Sequence, residues 1–138
     1  MPKLGWIITF AILATAPAAA ETSFPDLRGT WKGESESIVL GGNPHHGVTP
    51  SPEPRFSSVP FTLTVSKQDG RRFSGTFSSA QSSETLVGVI SRAGTIYAVD
   101  EDGYASGTLL APDRMELCYQ QLSPGSRIAS CVELVKQR

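Results

Sequence analysis

The stretch that decides the fold is Arg114–Lys136, RMELCYQQLSPGSRIASCVELVK. Its centre, Ser123-Pro124-Gly125-Ser126, carries turn residues: Pro presets one φ and Gly accepts a positive one. Arg114–Gln121 before it and Arg127–Lys136 after it read as strands. With the hairpin centred between Pro124 and Gly125, facing residue numbers sum to 249, as 118 and 131 do. This register sets Cys118 against Cys131, Leu117 against Val132 and Met115 against Leu134. The cysteines share their face with Arg114, Glu116 and Arg127, so that face is the outer one, and a cross-strand disulfide on the exterior is expected. Glu116 then opposes Glu133, a mild repulsion that Arg114 would relieve diagonally.

Working back along the chain, the same alternation recurs. Thr30–Leu40, Val59–Gln68, Arg72–Ser79, Glu84–Ser91, Thr95–Asp100 and Gly103–Leu110 complete a set of eight short strands. Turns such as Asp69-Gly70 and Ala111-Pro112-Asp113 separate them, and helical periodicity is almost absent. Strands with one hydrophobic face, and no helix to cover a sheet, must close on themselves or form a sandwich. Closure also removes exposed edges. The expected fold is all-β: an eight-stranded antiparallel meander closed into a small barrel over residues 29–138, with one disulfide.

In the second strand Phe61, Leu63 and Val65 share one face, with Thr62, Thr64 and Ser66 on the other. In the first, Lys32, Glu34 and Glu36 must face out, which sends Trp31, Gly33, Ser35, Ser37 and Val39 inward. An inner face with two serines and a glycine suits a cavity with polar contacts, or else close packing of strands.

Ahead of the barrel, Lys3, the apolar run Leu4–Ala14 and Pro17-Ala18-Ala19-Ala20 have the layout of a cleavable export signal. Residues 1–20 are expected to be a signal peptide and 21–28 an N-terminal arm. The apolar run is too short for a membrane span. The chain has 12 Lys and Arg against 13 Asp and Glu; without Lys3 that is 11 against 13, a net charge of −2. Nucleic acid wants a concentrated basic face, so it is not an expected partner, nor is an anionic membrane surface. Both cysteines lie in the exported part, where a disulfide persists. The expected location is periplasmic or secreted.

Gly41–Ser58, GGNPHHGVTPSPEPRFSS, is the one long stretch without periodicity. Loops of this length are functional lids or unstructured. His45 and His46 are the only histidines, with no third His or Cys near by, though Glu53 would offer a carboxylate. They read as a solvated loop rather than a metal site, with a lid over the barrel mouth as the functional alternative. Asp100-Glu101-Asp102-Gly103 lacks the later ligands of a calcium loop and reads as a hairpin turn. There is no nucleophile elbow, phosphate-cradling loop or His-Glu-x-x-His. No enzymatic activity, no metal and no cofactor are expected; a hydrolase using His45 or His46 would need the loop folded over the barrel.

Gly29-Thr30-Trp31, opening the first strand of an eight-stranded meander, resembles the Gly-x-Trp signature of the calycins, the lipocalin and avidin-like barrels. There the Trp closes one end of the barrel. Ser74-Gly75-Thr76-Phe77-Ser78-Ser79-Ala80 resembles the third-strand motif of the avidin family. The resemblance implies that Ser37 and Ser79 match positions that hydrogen-bond the biotin ring system. It also places Phe77 where the family has a ligand-binding Tyr, and Gly33 where it has Asn. Trp31 is the only Trp after residue 20, so the family's later wall tryptophans are missing. A site that loses donors and aromatic walls loses affinity; the resemblance carries the barrel, not biotin.

The expected function is binding of a small molecule in or at the barrel mouth. Its candidate contacts are Trp31, Ser35, Ser37, Phe77 and Ser79, with Tyr97 and Tyr104 on neighbouring walls. The alternative is a protein-interaction module, such as a secreted protease inhibitor, acting through Glu21–Leu27 and the Pro-rich loop.

Overall fold

The structure, a computed structural model, describes Met1, residues 23–47 and residues 50–138. The expected signal peptide lies, beyond Met1, outside the described residues.

Nine strands follow one another: β1 (Gly29–Gly41), β2 (Arg55–Ser57), β3 (Pro60–Asp69), β4 (Arg72–Ser78), β5 (Ser83–Ile90), β6 (Ile96–Val99), β7 (Gly103–Ala111), β8 (Arg114–Ser123) and β9 (Ser126–Lys136). Neighbours from β3 to β9 pair antiparallel in chain order, and β1 pairs with both β3 and β9. The result is a closed eight-stranded barrel, with no helix among the described residues. β2 is the extra strand. It lies inside the segment expected to be irregular, and pairs with β1 through Ser37↔Ser57, Ile38↔Phe56 and Val39↔Arg55. Its pattern was too short to register as a period: β1 is 13 residues long, pairs with β3 only as far as Glu34, and leaves its second half an edge that β2 covers.

The hairpin β8–β9 has the register derived from the turn: Cys118↔Cys131, Leu117↔Val132 and Met115↔Leu134 are partners. Cys118 and Cys131 form a disulfide across a sequence separation of 13. Glu116 does oppose Glu133, and Arg114 reaches diagonally to Glu133, its Nε donating to Oε1 at 2.8 Å. Half-exposed pairs of this kind contribute at most about 1 kcal/mol.

One end of the barrel is filled. Trp31, Leu63, Ile90, Ile96, Met115 and Leu134 are buried there with Leu27 from ahead of β1. Each such side chain contributes about 1.5–3 kcal/mol of hydrophobic stabilisation. The Trp31 indole N–H donates to Leu27 O at 2.8 Å. Gln68 ties the preceding residues across this end: its Oε1 accepts from Leu27 N–H at 2.7 Å, and its Nε2 donates to Pro25 O at 2.8 Å. The described part of the arm, residues 23–28, is therefore docked on the closed end, with Phe24 packed against the core.

Between the small-residue alternatives for β1, geometry favours close packing. A Cβ at Gly33 would lie 2.0 Å from Glu133 O, so only glycine lets β1 and β9 approach this closely. The serine hydroxyls bond one another: Ser37 Oγ donates to Ser35 Oγ at 3.1 Å and lies 2.7 Å from Ser130 Oγ.

Candidate functional site

At the other end the barrel is open inside and roofed from outside. Asn43-Pro44-His45-His46 forms the roof. Asn43 Oδ1 accepts from the backbone N–H of His45 at 2.9 Å and of His46 at 3.3 Å. This is the Asx turn that Asn before Pro favours. Asn43 Nδ2 donates to Gln121 Oε1 on β8 at 3.1 Å, pinning the turn to the barrel wall. Each histidine is fastened by one ring nitrogen: His45 Nδ1 lies 3.0 Å from Ser79 Oγ, and His46 Nδ1 2.8 Å from Ser57 Oγ. The expectation of a solvated loop is thus corrected: the His45 side chain is only 8% exposed. A local reading cannot see Ser79 and Gln121, which hold this turn from distant strands.

Beneath the roof lies a cavity with apolar walls from Leu86, Ala98, Leu117, Ile128 and Val132. Phe61 and Phe77 stack in its side with centroids 4.5 Å apart, and both histidine rings lean on Phe61. The cavity has a volume of about 50 Å³, room for a few waters and less than the roughly 150 Å³ that holds a benzene ring. Its polar groups gather at the rim: His45, His46, Glu84, Asp100, Tyr119, Asn43 and Ser130. Among the described residues no three His, Cys, Asp or Glu side chains are grouped closely enough to hold a metal ion.

The hydrogen bonds assign the proton on His45. Ser79 Oγ accepts from Gln81 N–H at 3.2 Å and Ser82 N–H at 3.3 Å. With both lone pairs engaged, its hydroxyl hydrogen goes to His45 Nδ1, which must then accept. The neutral ring carries its proton on Nε2, which points toward Glu84 Oε1 at 3.4 Å and has no hydrogen-bond partner. Glu84 is held above its usual carboxylate range by burial, and by the Asp100 and Asp102 charges, against the pull of His45. Burial and the Asp100 carboxylate likewise push the Tyr119 phenol well above its ordinary value; its O–H donates to Asp100 Oδ1 at 3.3 Å. Burial, then the neighbouring His45, lowers His46.

Serine, histidine and carboxylate in line invite comparison with a nucleophilic triad. The hydrogen-bond order is the same; what differs is that the Ser79 oxygen already accepts from two backbone N–H groups and Ser79 does not line the cavity. The same bonds fasten the roof to the barrel.

Of the expected contacts, Phe77 lines the cavity, and Ser79 reaches it through His45. Ser35 and Ser37 face inward but bond one another and Ser130. Trp31 is corrected: it is wholly buried at the closed end and does not line the cavity. Tyr97 and Tyr104 are corrected too. They are 50% and 56% exposed on the outer face, because Ile96 and Ala98 take the inward parity of β6 and Ala105 that of β7. The missed residues Glu84 and Tyr119 carry a signal that was available: both share parity with inward neighbours, Leu86 and Leu117.

No family model matches the chain, and no curated protein does. Among solved structures it is similar to a redesigned β-barrel, with TM-score 0.49 and 11% identity over 81% of this chain and 92% of that one. It is also similar to an S-type phycobiliprotein lyase from Guillardia theta, with TM-score 0.36 and 13% identity over 81% of this chain and 89% of that one.

Proposed function

We propose that the protein is an exported, calycin-like barrel that binds a small molecule in its mouth cavity and does not catalyse a reaction on it. The observation that carries this reading is the contrast inside one barrel: side chains fill the closed end, while the mouth keeps an apolar hollow with polar groups at its rim. Pockets of that composition bind ligands by burying the apolar body and orienting it with a few polar contacts. The resemblance of Gly29-Thr30-Trp31 to the calycin signature supports the same reading, as does Trp31 closing one end. Export accords with the Cys118–Cys131 disulfide, which persists in an oxidising compartment.

Native mass spectrometry of the protein from an exporting host tests the proposal. A reproducible extra mass, lost on denaturation and lost when Leu117→Phe fills the cavity, is the expected result. A bare mass in every preparation, together with no apolar probe displaced by Leu117→Phe, would overturn it.

A further inference from the structure

Two carboxylates, Glu84 and Asp100, line the mouth cavity, and no lysine or arginine does. The Glu84 side chain is 12% exposed and forms no close ion pair with a lysine or arginine among the described residues. Its nearest polar neighbour is His45 Nε2 at 3.4 Å, itself buried and unpartnered. Asp100 is better served: Oδ1 takes the Tyr119 hydroxyl and the backbone N–H groups of Asp102 and Gly103. That bonding holds Asp100 in place beside Glu84, where the two charges repel. A largely buried carboxylate whose one basic neighbour is an imidazole at 3.4 Å is weakly compensated in an empty barrel. An arriving cation completes the compensation. The stacked faces of Phe61 and Phe77 add the negative potential that an ammonium group seeks.

We infer that the mouth cavity is selective for a small organic cation, a protonated amine on an apolar or aromatic body. Its ammonium group sits between Glu84 and Asp100, and its body lies against Phe77 and Leu117. The roof turn, through His45, keeps water off the ion pair and fixes the Glu84 carboxylate. The 50 Å³ of free space is well below the roughly 150 Å³ that holds a benzene ring, so a one-ring body is accommodated only with the roof turn displaced outward. This selectivity rests on the ligand-binding reading above.

The test is a titration of the whole exported protein with three matched probes at neutral pH: 2-phenylethylamine, 2-phenylethanol and 3-phenylpropionate. Affinities come from calorimetry, and chemical shifts of the Leu86 and Leu117 methyl groups report where each probe binds. The expected result is amine binding at least about tenfold tighter than alcohol, the size of one charge-assisted hydrogen bond, with propionate weakest. Glu84→Gln should abolish the preference without unfolding the barrel, since it removes a charge that burial and Asp100 disfavour. Glu116→Gln, which removes the same single negative charge from the outer face, should leave it intact. Equal binding of amine and alcohol, or a preference that survives Glu84→Gln, overturns the cation assignment and leaves ligand binding standing. Methyl shifts unmoved by all three probes would overturn both.

Discussion

At the closed end of the barrel, Trp31, Met115 and Leu134 are completely buried and the one polar atom among them, the indole N–H, is hydrogen-bonded. At the mouth, His45 Nε2 is buried without a hydrogen-bond partner, and the Glu84 carboxylate 3.4 Å away is only 12% exposed. The same eight strands build both ends, so the difference is not one of scaffold. It lies in which residues take the inward parity: at one end Trp, Met, Leu and Ile, at the other Glu, Tyr, Ser and two Phe rings. Unsatisfied buried groups are what a stability-optimised core removes. Where a chain keeps them, stability has been traded for a site.

The sharpest way to break this contrast is to hollow out each end in turn. Trp31→Ala should cost about 3–5 kcal/mol of unfolding free energy, the range for a large side chain deleted from a filled core. Phe77→Ala should cost only about 1–2 kcal/mol, because its ring already borders empty space and is partly exposed. Equilibrium urea unfolding followed by circular dichroism measures both. Equal costs would mean that the mouth is packed like the closed end.

Next in size is the disulfide, which links β8 to β9 on the outer face and belongs to neither interior. Replacing Cys118 and Cys131 together by Ser should lower stability by about 3 kcal/mol, as the chain-entropy estimate gives for a loop of this length. The mouth titrations should be unaffected in the fraction that remains folded. A change in probe affinity comparable with that of a mouth variant would show that the hairpin also shapes the site.

How much of this was legible depended on distance along the chain. The β8–β9 register followed from one turn and a pairing sum, because a tight hairpin leaves no freedom once its centre is known. Parity likewise placed Phe77 and Ser79 on the inner face. It would also have excluded Tyr97 and Tyr104 and included Glu84 and Tyr119, had polar residues of inward parity been weighed like apolar ones. Glu84 opens its strand, and Asp100 closes one, positions where turn chemistry is the ordinary explanation. The roof was not legible. His45 is buried by contacts with Phe61, Ser79 and Glu84, all at long sequence separation. No local pattern announces such contacts, and a Gly- and Pro-rich segment reads as solvent-exposed whatever lies beneath it.

The roof itself supplies the smaller effects. Asn43→Ala removes the acceptor of two backbone N–H groups and the tie to Gln121. It should cost about 1–2 kcal/mol, the scale of a capping residue, confined to the turn. Hydrogen exchange should then speed up at His45 and His46 while the amides around Trp31 keep their protection. Loss of protection at both ends would mean that roof and floor unfold as one unit, and that the two regions are not independent.

The smallest effect is in pH, and it separates two groups at the mouth that act in opposite directions. Burial lowers His46 below its ordinary 6.5, so the folded state prefers the neutral ring. Its contribution is complete above pH 6.5 and is lost as the pH falls from there through the depressed folded value. Burial raises Glu84 above 4.5, so its contribution is complete below pH 4.5 and is lost as the pH rises through the raised value. His46→Gln removes only the first. The stability difference between the native protein and this variant should therefore shrink on going from pH 7.5 to 5.5, by less than about 1 kcal/mol because the ring is only half buried. Thermal melts at the two pH values measure it. A difference that does not change would mean that His46 titrates as it does in the unfolded chain, and that the roof leaves it open to water.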